Sequence, residues 1–195
     1  KGITAGTGMD ALAHCIEAFS SPFYHPMAEG TAVEGLRLVK ENIQEVYHNG
    51  SNIEARAHML VASMMGAAAF QKGLGAIHSI THPVNSLYHT HHGTTNGTVM
   101  PFVLNFNRSV IEKKFDRLAK FLNISNGFEG VVNWIIELKK EMEIPETLKE
   151  MGVKKGDEVK LAPLAQEDPS TGGNPLEMSE DKFQELILNC IEGNY

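Results

Sequence analysis

The sequence predicts an all-α fold, a single helical domain running from residue 1 to residue 195. Apolar residues recur at helical spacing in segment after segment. Ala, Gly, Met and Leu carry much of the apolar content, and aromatics make up only 7% of the chain, which suits closely packed helices better than stacked sheets. No segment alternates apolar and polar residues convincingly enough to read as a strand. At 42% hydrophobic residues, the composition is rich enough for a packed core.

Residues 7–20 read as the first helix, with Leu12, Cys15, Ile16 and Phe19 on one stripe, Thr7 as its N-cap and Ser20-Ser21-Pro22 as its stop. A second helix over 26–47 buries Ala32, Leu36, Val39 and Ile43, and Asn49-Gly50 ends it. The third, 53–72, contains Gly66-Ala67-Ala68-Ala69. So little side-chain bulk lets another backbone come close, which places this helix at the centre of the fold. Gly73 and Gly75 break the chain before a helix over 76–90 that Pro83 should kink or restart. His91-His92-Gly93 reads as a turn. Further helices follow over 94–107, in spite of Pro101, and over 110–123 and 129–142, the last closed by Ile144-Pro145. Residues 152–175 are rich in Gly, Pro, Asp and Lys, with room for a short helix at 157–166 and a loop at 168–175. A last helix fits 179–192.

The totals exclude several function classes. With a net charge of −7 and no Lys/Arg cluster, a nucleic-acid partner is not expected. No apolar run approaches a membrane span. The two cysteines, Cys15 and Cys190, are far apart and form no Cys-x-x-Cys pattern, which points to a reduced, cytoplasmic setting. The chain opens at Lys1 without Met or a signal-like segment and reads as part of a longer polypeptide.

Chemistry is most concentrated in the nine histidines. Asp10 and His14 stand four residues apart, about 40° around a helix, so both project the same way. His78 and His82 repeat that spacing, and His92 follows a chain reversal just before Gly93. Taken alone, each of these also fits a solvated helix face or a capping residue. Together they offer one carboxylate and several imidazoles, a donor set that suits iron, zinc or manganese rather than magnesium or calcium. Spacing alone does not establish that they converge.

The segments TGMDALAHCIEAF (7–19), GLGAIHSITHPVNSLYHTHHGTTNG (73–97) and PFVLNFN (101–107) resemble the iron-containing (group III) alcohol dehydrogenases. Glu143-Ile144-Pro145 and Thr171-Gly172-Gly173-Asn174-Pro175 also look like that family, so the resemblance runs from about residue 5 to about residue 185. It implies Asp10, His14, His78 and His92 as metal ligands. It also implies His82 beside the site, as the candidate catalytic residue for relaying a proton. The implied fold is the C-terminal, all-helical, bundle-like domain of a two-domain enzyme related to dehydroquinate synthase. Its N-terminal nucleotide-binding α/β domain is absent from this chain. The implied activity is hydride transfer between a small alcohol and a nicotinamide cofactor, NAD or NADP, giving an aldehyde or ketone. A divalent metal acts as Lewis acid, Fe(2+) by the family pattern although zinc binds such donors more tightly. A homodimer of the full-length protein is implied as well. Two departures stand out: His91 where the family commonly has Pro, which leaves His91 competing with His92, and Gly97 where it commonly has Ala.

Glycerol dehydrogenase-like enzymes share the plan with one histidine fewer, and hydroxyacid-oxoacid transhydrogenases lie closer. A non-enzymatic helical metal-binding module of ferritin-like type would need several Glu ligands, against one Asp here. The Gly73-x-Gly75 pair is too short for a phosphate-cradling loop and precedes a His-bearing helix rather than following a strand. The isolated chain should therefore bind NADH only weakly, as titration by fluorescence would register. Tight, saturable binding would contradict this reading.

Overall fold

Helix α1 (Gly2–Ser20) is enclosed by its neighbours along most of its length, with Met9, Leu12, Ala13, Cys15, Ile16, Ala18 and Phe19 all buried. The computed structural model describes residues 1–195 and contains no strand. After α1 come α2 (Pro26–His48), α3 (Ile53–Ala69), α4 (Ala76–Tyr88), α5 (His92–Phe121), α6 (Gly127–Glu141), α7 (Glu158–Glu167) and α8 (Glu180–Glu192). Two 3-10 turns, Phe70–Lys72 and Pro169–Gly173, complete the list of elements. Helices α2, α3 and α5 pack around α1, α4 lies against α5 and α7, α6 against α5, and α8 against α7. One cluster of 49 buried apolar residues runs through the whole arrangement, so no helix pair forms a separate core. The all-α expectation holds. No single helix is long and apolar enough to cross a membrane.

The sequence reading misplaced four features, each for a physical reason. Helix α1 begins at Gly2, and Thr7 is not its N-cap: Thr7 Oγ1 donates to the Ile3 carbonyl (2.9 Å) from inside the helix. Gly6, just before Thr7, allows a close approach inside the helix, since a Cβ there would clash with the His91 ring. Helix α3 is not central. Leu60 and Met64 are 68% and 70% exposed, and of its small residues Gly66 makes the expected close contact. A Cβ there would lie 3.0 Å from His14 Cβ and 3.2 Å from Cys15 Sγ. The segments 94–107 and 110–123 form one helix, α5, which passes through Pro101. Val103, Leu104, Ile111, Phe115 and Leu118 keep one buried stripe in phase across the polar stretch at 105–109, and that packing outweighs the hydrogen bond Pro101 removes. The loop expected at 168–175 is mostly a tight 3-10 turn seated on α4.

The turn between α3 and α4 is held by a buried cation. Lys72 Nζ donates to the carbonyls of Ala18 (2.9 Å), Phe19 (3.3 Å) and Ser21 (2.7 Å), which are the free acceptors at the C-terminus of α1. Ser21 Oγ returns a bond to the Lys72 carbonyl (2.9 Å). Burial and the nearby Lys114 charge pull the Lys72 pKa down to about 8, against the Glu29 carboxylate 3.4 Å away. At neutral pH it therefore remains an ammonium with three donors. Lys72→Met keeps most of the stem and strands the carbonyls. It should cost about 2 kcal/mol and lower the thermal midpoint by about 4–8 °C. An unchanged midpoint in a calorimetric scan would show that the ammonium does not hold the turn.

Candidate metal centre

Asp10 and His14 share one face of α1, and α4 lays His78 against them. Donor atoms of Asp10, His14 and His78 all lie within 4.8 Å of one another. His92, the first residue of α5, joins this group through Asp10: its Nε2 is 3.3 Å from Asp10 Oδ1, with His78 Nε2 at 3.9 Å from the same oxygen. The rings of His14 and His78 are 4.5 Å apart, and those of His78 and His92 5.3 Å. Side-chain exposure rises from 2% at His78 to 40% at His92, so the cluster is closed on the α4 side and open at the mouth of α5.

The protons are arranged consistently. Asn96 Nδ2 donates to Asp10 Oδ1 (2.8 Å) and lies 3.2 Å from both His78 Nε2 and His92 Nε2. A carboxylate can only accept, so Asp10 takes one of the two Asn96 amide hydrogens and the other is shared between the two Nε2 atoms, which face it with lone pairs. Their Nδ1–H groups must then point to acceptors, and they do: His78 Nδ1 to Glu17 Oε2 (2.6 Å), His92 Nδ1 to Asn85 Oδ1 (3.0 Å). His14 gives its Nδ1–H to the Asp10 carbonyl (2.8 Å), which leaves Nε2 as its free nitrogen too. Asn85 is held in turn by Thr90 and Thr95. Burial raises the Asp10 pKa, but the neighbouring His14, His92 and His78 rings outweigh it and keep the carboxyl below its usual value. Burial and the His78 charge lower the His14 pKa; burial acts the same way on His78, but Glu17 outweighs it and the pKa is raised.

His82 sits at the rim rather than in the group. Its side chain is 43% exposed, its ring stacks on His92 at 5.5 Å, and its Nδ1 donates to Asp168 Oδ2 (2.7 Å). Asp168 Oδ1 also accepts from Ser170 N (2.8 Å), so the carboxylate is fixed at the start of its 3-10 turn. His91 lies elsewhere. Its Nδ1 accepts from Thr94 N (3.3 Å) and caps α5, with its ring against Gly6.

The profile of the Fe-containing alcohol dehydrogenase family, C-terminal part, matches residues 4–191. This chain belongs to that family. Among curated members of the Fe-containing alcohol dehydrogenases, it is 36% identical to 4-hydroxybutyrate dehydrogenase of Cupriavidus necator over 95% of this chain and 51% of that protein. It is 35% identical to NAD-dependent methanol dehydrogenase of Bacillus methanolicus over 97% and 52%. The crystal structure of a 1,3-propanediol oxidoreductase superposes with a TM-score of 0.91 at 30% identity, covering 96% of this chain and 51% of that one. The chain thus spans about half the length of the relatives it matches.

Four residues at this family member's cluster escaped the sequence reading: Glu17, Asn85, Asn96 and Asp168. Glu17 follows His14 by three and Asn96 follows His92 by four, so helical periodicity was a usable signal for both. Asn85 and Asp168 carried no such local signal. The approach of α5 to α1 also depends on glycine at Gly93, where a Cβ would run into the Gly6 carbonyl. Gly93→Ala should therefore destabilise by about 1–3 kcal/mol in urea unfolding. Gly30→Ala, at an exposed α2 position with nothing within 4 Å, should gain up to about 1 kcal/mol. Equal effects from the two would refute the close-packing account.

Proposed function

We propose that Asp10, His14, His78 and His92 hold a divalent metal, and that the whole protein interconverts a small alcohol with its aldehyde or ketone using a nicotinamide dinucleotide. The observation that carries this is convergence: donor atoms of Asp10, His14 and His78 lie within 4.8 Å of one another and His92 Nε2 is 3.3 Å from Asp10 Oδ1, while the Nδ1 atom of each ring has an acceptor of its own. Metal ligands need an imidazole lone pair and an ionised carboxylate, and with each Nδ1 turned to an acceptor this arrangement leaves Nε2 for the metal. Three nitrogens and one oxygen suit iron, zinc or manganese; the family supports iron.

When bound, such a metal supplies Lewis-acid polarisation of the alcohol or carbonyl oxygen. The chain's own residues do the rest. Asn96 steadies the Asp10 carboxylate, and Asn85 and Glu17 hold the His92 and His78 rings. His82, locked by Asp168, keeps a free Nε2 at the solvent-facing rim, where it takes up the proton lost by the alcohol and returns it in the reverse direction. We assign residues 1–195 to one helical domain, and the dinucleotide site to the portion of the relatives that this chain does not span. Relatives named for NAD and for NADPH both occur, so a nicotinamide dinucleotide is the common expectation. A cytoplasmic setting suits the two free, buried thiols.

Elemental analysis after anaerobic purification tests the centre. The wild-type chain should carry about one iron or zinc, the Asp10→Ala, His14→Ala double variant none, and His91→Ala the wild-type amount. A wild-type chain that takes up neither metal, even when both are added, would overturn the assignment.

A further inference from the structure

Glu17 is one turn beyond His14 on α1, 5% exposed, and each of its carboxyl oxygens has its own partner. Oε2 meets His78 Nδ1 at 2.6 Å, and Oε1 accepts from Ile77 N at 2.7 Å. The N-cap of helix α4 is Gly75, which has no side chain with which to cap it. Its first two N–H groups are instead taken by side chains from other elements: Ala76 N by Asn174 Oδ1 (3.2 Å), and Ile77 N by Glu17. One carboxyl group therefore fixes both the end of α4 and the ring that α4 carries.

From this geometry we infer that Glu17 is a positioning residue of the metal centre: it selects the tautomer of His78 that presents Nε2 to Asp10, and it sets metal affinity without touching the metal. The inference rests on the metal reading above. Glutamine has almost the same shape as glutamate, but only one of its two terminal atoms can accept. Ile77 N is a backbone donor and cannot change role, so in Glu17→Gln the amide oxygen is retained there and the amide NH2 faces His78 Nδ1. The imidazole then has to carry its proton on Nε2, where it opposes the Asn96 amide and has no lone pair for a metal.

The test uses the 195-residue chain and cobalt(II) as probe, with affinity measured by chelator competition and visible absorption. Wild type should bind cobalt, and Glu17→Gln should bind it about 10–100-fold more weakly. In a His78→Ala background the same substitution should cost no further affinity, because its effect passes through that ring. A merely structural loss would persist there. Nitrogen-15 NMR of the metal-free chains supplies a readout that needs no metal and, for wild type, no variant: His78 should be the Nδ1–H tautomer in wild type and Nε2–H in Glu17→Gln. An Nε2–H wild type, undiminished cobalt binding by Glu17→Gln, or an equal loss in the His78→Ala background each overturns the role of Glu17. A wild-type chain that binds no cobalt overturns the metal reading itself.

Discussion

Neutral imidazole has one N–H and one lone pair, and several rings can face a common centre only when each proton is led away from it. At this cluster a backbone carbonyl, a carboxylate and a carboxamide each take one such proton, from His14, His78 and His92 in turn. The acceptors belong to α1 and α4, so the electronic state of the site is a consequence of how those helices are placed. A shift of α4 along α1 would separate Glu17 from both His78 and Ile77 together, which makes the cluster sensitive to helix register as well as to side-chain identity.

That register is set by contacts of two kinds. Glycines remove bulk where backbones must nearly touch: Gly66 beside His14, and Gly93 against the Gly6 carbonyl. Polar pegs then fix the position along the axis. Lys72 ties the end of the α3 turn to the last carbonyls of α1. Asn174 pairs with Asn107 of α5 and accepts from Ala76 of α4, which connects the Thr171-Gly172-Gly173-Asn174 turn to the helix bearing His78 and His82. The same 3-10 turn begins at Asp168, the partner of His82. A segment that reads as a loop by composition thus acts as a clamp on α4.

The all-helical class and the Asp10/His14 and His78/His82 pairs were legible because helical periodicity is a local property of sequence. The partners of those histidines were legible only in part. Glu17 and Asn96 lie on the same helix faces as His14 and His92, but a buried Glu or Asn cannot be told from a solvated one without the packing. Asp168 is 86 residues from His82 and meets it only in the folded chain. The error at α5 came from weighing a short, mostly polar stretch after residue 104 above a buried stripe that stays in phase through it. The error at α3 had the opposite source: small residues indicated a close approach, which Gly66 makes, but not which of the two helices lies inside.

Cys15 and Cys190 are both fully enclosed, and burial pushes the Cys15 thiol up to about 12 and that of Cys190 higher still. Thiolate is the species that reacts with maleimides, iodoacetamides and peroxide, so neither side chain competes for such reagents while the chain is folded. The native molecule therefore behaves chemically as though it had no cysteine. A spectroscopic label can be attached at a single introduced surface thiol without first replacing either natural one, and the appearance of additional reactive thiols reports unfolding directly.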